Sequence, residues 1–132
     1  MLKTLICTVG FFALGFMASS AQTNSERYDK EMAKYKQTNT FENCVRPSLI
    51  KQTKVLDDQH IIFEMRSNRV YLNTLDHKCS RLGFERSITY NVRGGRLCSM
   101  DVVSVFDTTL GAGPGCFLGK FEILEKLPKD SE

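Results

Sequence analysis

Between Thr53 and Cys79 the chain reads TKVLDDQHIIFEMRSNRVYLNTLDHKC, two alternating apolar runs on either side of a polar turn. Strand side chains alternate between faces, so a hairpin register can be tested by arithmetic. With Ser67-Asn68 as a two-residue turn, Met65 lies opposite Val70, Phe63 opposite Leu72 and Ile61 opposite Thr74. That register builds one apolar face and sets Tyr71 against Glu64 on the other. A three-residue loop would place Met65 opposite Arg69 and break up the apolar face, so the two-residue turn is expected. Asn68 tolerates the left-handed backbone such turns need.

The ends of the chain frame this hairpin. Lys3 is followed by the uncharged run Leu5–Phe16 and by small residues ending Ser19-Ser20-Ala21. A basic start, a short apolar core and a small-residue site predict a secretory signal peptide over 1–21, cut after Ala21. A bilayer-spanning helix needs about 20 apolar residues, so no stable membrane insertion is expected after cleavage. Cys7 leaves with the signal. Without Lys3 the chain carries 17 basic and 15 acidic residues, a net +2. That is too little excess for a dedicated nucleic-acid binder. Four cysteines stay behind, Cys44, Cys79, Cys98 and Cys116. An even count in a small exported domain predicts two disulfides and a periplasmic or secreted address.

The segment 22–40 is expected to hold a helix and a linker. Thr23 and Glu26 have capping-box spacing, and Tyr28, Met32 and Tyr35 recur on one helical face. The helix is expected over Thr23–Gln37, with a Lys-rich outer face of Lys30, Lys34 and Lys36, and Gln37–Thr40 follows as a polar linker. The β domain is expected over 41–124 and a charged tail over 125–132. After a first strand ending at Val55-Leu56, Asp57-Asp58-Gln59 turns the chain into the hairpin. Beyond it, Phe84–Val92 alternates, Gly94-Gly95 marks a turn, and Leu97–Asp107 reads as a central strand buried on both faces. Gly111–Gly115 reads as a loop. Phe117–Leu124 is the last strand, with Phe117, Phe121 and Ile123 inward and Gly119 at a bulge or a close backbone approach. The predicted fold class is mainly β, with about six antiparallel strands in a sheet or partly open small barrel, one N-terminal helix and two disulfides.

Cys44, the stretch Thr53–Asn73 with YLN (Tyr71-Leu72-Asn73), LCSMD (Leu97–Asp101) and CFLGKF (Cys116–Phe121) are similar to a family of small exported bacterial proteins known only as a domain of unknown function. The likeness covers roughly Phe41–Ile123 and rests on cysteine placement and apolar pattern. It implies export and a shared fold, and it transfers no activity and no binding residues.

Four cysteines permit three pairings. Cys79–Cys98 with Cys44–Cys116 is expected, the first clamping the hairpin's exit to the central strand and the second tying the ends of the β region. For chemistry, His60 follows Asp57-Asp58 and His77 follows Asp76. Imidazoles with carboxylates could hold a divalent ion if the hairpin base brought His60, His77, Asp58 and Asp76 together. No metal-ligand spacing such as HExxH supports that, and turn-end Asp residues are ordinarily turn formers, so no metal or cofactor is expected. The glycines of Gly111–Gly115 lack the P-loop pattern. Tyr71, Arg66 and Arg69, with Tyr90, Arg86, Arg93 and Arg96 in the wider set, could present a basic, aromatic surface to an anionic partner. The leading expectation is a non-catalytic envelope or secreted binding protein for an envelope protein or polymer. The rivals are a small metal-dependent hydrolase using His60 and His77, and an inhibitor of an envelope enzyme.

Overall fold

The computed structural model describes residues 23–129 together with Gly15. Apart from Gly15, the expected signal segment lies outside the described residues. Thr23 opens helix α1 (Asn24–Met32) with a reciprocal capping box: its hydroxyl accepts from the Glu26 N–H and the Glu26 carboxylate accepts from the Thr23 N–H. The helix ends well before Gln37. The expected linker is strand β1 (Tyr35–Glu42), an edge strand whose polar composition hides its pairing. Its ladder slips between Gln37 and Phe41, where Asn39 takes a positive φ of 54° and the Thr38 hydroxyl bonds the Ile123 carbonyl.

Strands β3 (Ile50–Val55), β4 (His60–Met65), β5 (Val70–Thr74) and β10 (Phe121–Lys126) complete a five-stranded antiparallel sheet in the order β1-β10-β5-β4-β3. A two-stranded ladder joins β2 (Cys44–Val45) to β7 (Leu97–Cys98). A third sheet has β8 (Val102–Asp107) between β6 (Ile88–Tyr90) and β9 (Gly111–Phe117). Among the described residues the fold is mainly β with ten strands rather than about six, and no sheet closes into a barrel.

The hairpin register differs from the expected one. Phe63 pairs with Tyr71, Ile61 with Asn73 and Ile62 with Leu72, and the Met65 N–H bonds the Arg69 carbonyl. The loop is therefore Arg66-Ser67-Asn68, with Asn68 left-handed at φ 64°, the three-residue turn that favours such a residue at its end. The one-face criterion fails because both faces of this sheet are covered. Ile61, Phe63, Met65 and Tyr71 enter a main core with residues from all three sheets, among them Val45, Leu97, Val103 and Phe121. Ile62, Val70 and Leu72 join Leu56 and Leu124 on the opposite face, covered by Tyr28, Met32 and Tyr35 from α1 and the start of β1. Tyr71 is consequently paired with Phe63 and buried against Phe121 rather than set opposite Glu64.

Four further expectations are corrected. Phe84 lies on a single helical turn, α2 (Leu82–Glu85), 77% exposed, so the alternation from Phe84 does not mark one strand. Leu97–Asp107 is broken into β7 and β8 at Ser99–Asp101, and Val102 at its start is 46% exposed, although β8 is central in its own sheet. The stretch Gly111–Gly115 belongs to β9, and Phe117 at its end faces outward. Gly94 and Gly95 do form the turn, both at positive φ between the bridged Arg93 and Arg96. Gly119 makes the close approach: a Cβ there would stand 2.0 Å from the Thr74 carbonyl oxygen.

The disulfides are Cys44–Cys98 and Cys79–Cys116, not the expected pairing. Cys98 is taken into the small β2–β7 ladder, directly opposite Cys44. Cys79 is buried in the main core, where Cys116 packs from β9 beside Val103. The expected pairing placed Cys98 on a strand next to Phe84–Val92, and that long strand does not form.

Candidate functional site

The β2–β7 ladder carries more than a disulfide. Cys44 faces Cys98 and Val45 faces Leu97. Carried one step further, the same register sets Arg46 opposite Arg96. Like charges set opposite each other across a ladder are destabilising in isolation. Here the Cys44–Cys98 bridge, two residues from each arginine, ties the two segments together at that point.

Arg46 and Arg96 line one cleft of about 390 Å³ with Glu42, Cys44, Val45, Leu49, Met65, Ser67, Arg69 and Tyr71. Its floor is the edge of the main core, since Val45, Met65 and Tyr71 are each nearly buried. Leu49 stands at the rim, 41% exposed, on the single 3-10 turn Pro47–Leu49. That turn is fixed to the hairpin loop by a bond from the Arg66 N–H to the Leu49 carbonyl, 2.8 Å.

Three guanidinium groups thus share the cleft with one carboxylate. Glu42, at the end of β1, receives Arg69 Nη1 at 3.0 Å on Oε1 and the Tyr71 hydroxyl at 2.9 Å on Oε2. Burial pushes the Tyr71 phenol above its usual range; the Glu42 bond adds to this and Arg69 opposes it. Tyr71 therefore stays protonated and acts as a donor. Among the described residues no ion pair reaches Arg46 or Arg96. Chemically the arrangement can receive an anionic group, with guanidinium forks for carboxylate or phosphate and an apolar floor beside them.

The other candidates are placed elsewhere. Arg66 is exposed on the hairpin loop and does not line the cleft. His60 lies in a separate groove with Tyr28, Asp58 and Lys78, its ring 4.6 Å from that of Tyr28. Its Nδ1 sits 2.8 Å from Asp57 Oδ2, and Asp57 Oδ1 also accepts the N–H groups of Gln59 and His60, so this pair closes a turn. Asp58 Oδ1 accepts the Gly83 N–H at 2.8 Å, anchoring α2. Asp76 and His77 are exposed and line neither the groove nor the cleft. Among the described residues no three His, Cys, Asp or Glu side chains gather as a metal site would require.

The family model described as Family of unknown function (DUF6491) matches residues 1–123. The chain belongs to that family. No curated protein and no solved structure shows a match to the chain. The sequence segments that carried the family likeness meet in the fold. Asn73 of YLN, completely buried, donates Nδ2–H to the Gly119 carbonyl at 2.8 Å and accepts the Gly119 N–H at 2.9 Å, so YLN is clipped to CFLGKF. In LCSMD, Asp101 Oδ2 accepts the Cys98 N–H at 2.7 Å and shapes the turn after β7. Asn73, Gly119, Cys98 and Asp101 build this frame outside the cleft lining, whereas Tyr71 of YLN and Cys44 line the cleft.

Arg69 and Tyr71 belong to the expected basic, aromatic surface, and Arg96 to its wider set. Arg46 and Glu42 were missed. The signal for Arg46 is the symmetric spacing Cys44-x-Arg46 and Arg96-x-Cys98, which becomes informative only once those two cysteines are paired. Glu42 carries no such mark in the sequence.

Proposed function

We propose that this is an exported, non-catalytic binding domain that takes an anionic segment of an envelope partner into the Arg46–Arg69–Arg96 cleft. The reading is carried by one observation: Arg46 and Arg96, which have no ion-pair partner among the described residues, adjoin the paired Val45 and Leu97 beside a disulfide and line a common cleft. A chain with a net charge of only +2 after loss of the signal gains little from general basicity, so local positive charge of this kind favours a particular anion. The two disulfides and the apolar N-terminal run support an oxidising, extracytoplasmic address.

The test is an NMR titration of the disulfide-intact protein with two anionic polymers, poly-glutamate and poly(glycerol phosphate), at low and high salt. At least one should shift the resonances of Arg46, Arg69, Arg96 and Tyr71 at low salt, and the shifts should fade as salt screens the guanidinium groups. Shifts confined to other surfaces, or none at all, would reject the reading.

A further inference from the structure

The cleft is more than a cluster of positive charge. Val45, Met65 and the ring of Tyr71 form an apolar floor, and Leu49 stands exposed at the rim beside the guanidinium groups. A phosphodiester or uronate chain would engage the arginines and leave that apolar lining unused. A peptide with alternating acidic and apolar side chains would use both.

Glu42 strengthens the case for a carboxylate. It is an acidic side chain at the end of an extended strand, and its two oxygens take the Arg69 guanidinium and the Tyr71 hydroxyl. The chain's own residue thus presents to the cleft the group that an acidic peptide would present. The Arg69 and Glu42 side chains are 58% and 38% exposed, so this ion pair is solvated and weakly held. Among the described residues no carboxylate pairs in this way with Arg46 or Arg96.

Building on the anion-binding reading, we propose that the ligand is an acidic peptide segment with apolar side chains between its carboxylates, and that Glu42 competes with it for Arg69. The ligand's carboxylates pair with Arg46 and Arg96, and an apolar side chain settles against Leu49 and Met65.

The experiment measures fluorescence anisotropy of labelled (Glu-Leu)3, (Glu-Ser)3 and poly(glycerol phosphate) against the purified, oxidised protein. (Glu-Leu)3 should bind at least roughly tenfold tighter than (Glu-Ser)3, because burying leucine methylenes supplies that much. Glu42→Gln should tighten (Glu-Leu)3 by roughly three- to tenfold, since a like charge a few ångströms from the ligand is removed, and Glu42→Ser should act in the same direction. The double variant Arg46→Ser/Arg96→Ser should lose at least roughly tenfold. Equal binding of the two peptides, preference for poly(glycerol phosphate), or weaker binding by both Glu42 variants would overturn the inference while leaving an anion-binding cleft in place. Failure of every probe to bind in an Arg46- and Arg96-dependent way would end both.

Discussion

Removing the Asn73 side chain should be among the most damaging single changes to this fold. Asn73 is fully buried on β5, and its amide stands in for a missing strand: it gives one hydrogen bond to the Gly119 carbonyl and takes one from the Gly119 N–H. Gly119 is itself buried between β9 and β10, held so close to β5 that a Cβ would meet the Thr74 carbonyl oxygen. In Asn73→Ala both backbone groups of Gly119 lose their partner, and a buried donor or acceptor left unpaired costs about 1–3 kcal/mol. The pair together predicts a loss of about 3–5 kcal/mol, with the small cavity included. Against a domain stability of about 5–15 kcal/mol, that loss moves the urea midpoint far toward zero. The assay is equilibrium urea unfolding followed by circular dichroism, with both disulfides intact so that the reference state is constrained equally in both proteins. Asn73→Asp should fare no better, because an ionised carboxylate cannot donate to the Gly119 carbonyl. A cost under about 1 kcal/mol for Asn73→Ala would refute the argument, since no arrangement of two unsatisfied buried groups is that inexpensive.

Two other predictions concern the face covered by α1. Lys54 Nζ lies 3.0 Å from Glu31 of α1 and 2.7 Å from Glu64 of β4, tying the helix to the sheet. Burial works to raise both carboxyl groups, yet the bonds from Lys34 and Lys54 on Glu31, and from Lys54 and Gln52 on Glu64, bring each below the usual value of 4.5. Groups depressed in the folded state stabilise it above their ordinary range, and that stability is lost as pH falls through the lower folded values. Acidification below about pH 4.5 should therefore lower the denaturation midpoint, and Lys54→Met should flatten that slope; an unchanged slope would remove the network from the account. On the same face Glu122 is 5% exposed, with Oε1 bonded by Gln37 Nε2 at 3.1 Å and Oε2 buried with no partner among the described residues. Glu122→Met, which fills the same space without a half-satisfied carboxylate, should raise stability by about 1–2 kcal/mol, and a clear loss in urea unfolding would contradict it.

Much of the frame was legible in the chain because it is written locally. Thr23 and Glu26 announced the helix start, Gly94-Gly95 a tight turn, and Gly119 a close backbone approach, each through chemistry contained within a few residues. The hairpin was legible as a hairpin, but its register was not. Ile62, Val70 and Leu72 are as apolar as Ile61, Phe63 and Met65, and only the knowledge that α1 covers the second face tells the reader that both sets are buried. The β1 strand was hidden for the opposite reason. Gln37–Thr40 is polar because it lies on an exposed edge, and a polar edge strand has the composition of a linker. The cleft depended on the cysteine pairing, which spacing alone leaves among three choices. Once Cys98 is assigned to Cys79 rather than Cys44, Arg46 and Arg96 fall in unrelated parts of the molecule, and the basic surface dissolves into scattered arginines.

The two disulfides also stand differently toward the core and toward the proposed cleft. In the chain-entropy model, bridges with separations of 54 and 37 residues contribute nearly the same stabilisation, about 4 kcal/mol each. Their surroundings are not equivalent. Cys79 is 1% exposed within the main core, so its bridge to Cys116 fastens the three-stranded sheet to the hairpin's exit, a purely architectural task. Cys44 lines the cleft, and its bridge to Cys98 ties a ladder two residue pairs long whose Val45 and Leu97 are buried in the main core, just beside Arg46 and Arg96. In the proposed anion-binding reading, a covalent tie beside Arg46 and Arg96 gives a nearly neutral domain a local positive field that an incoming anion would neutralise.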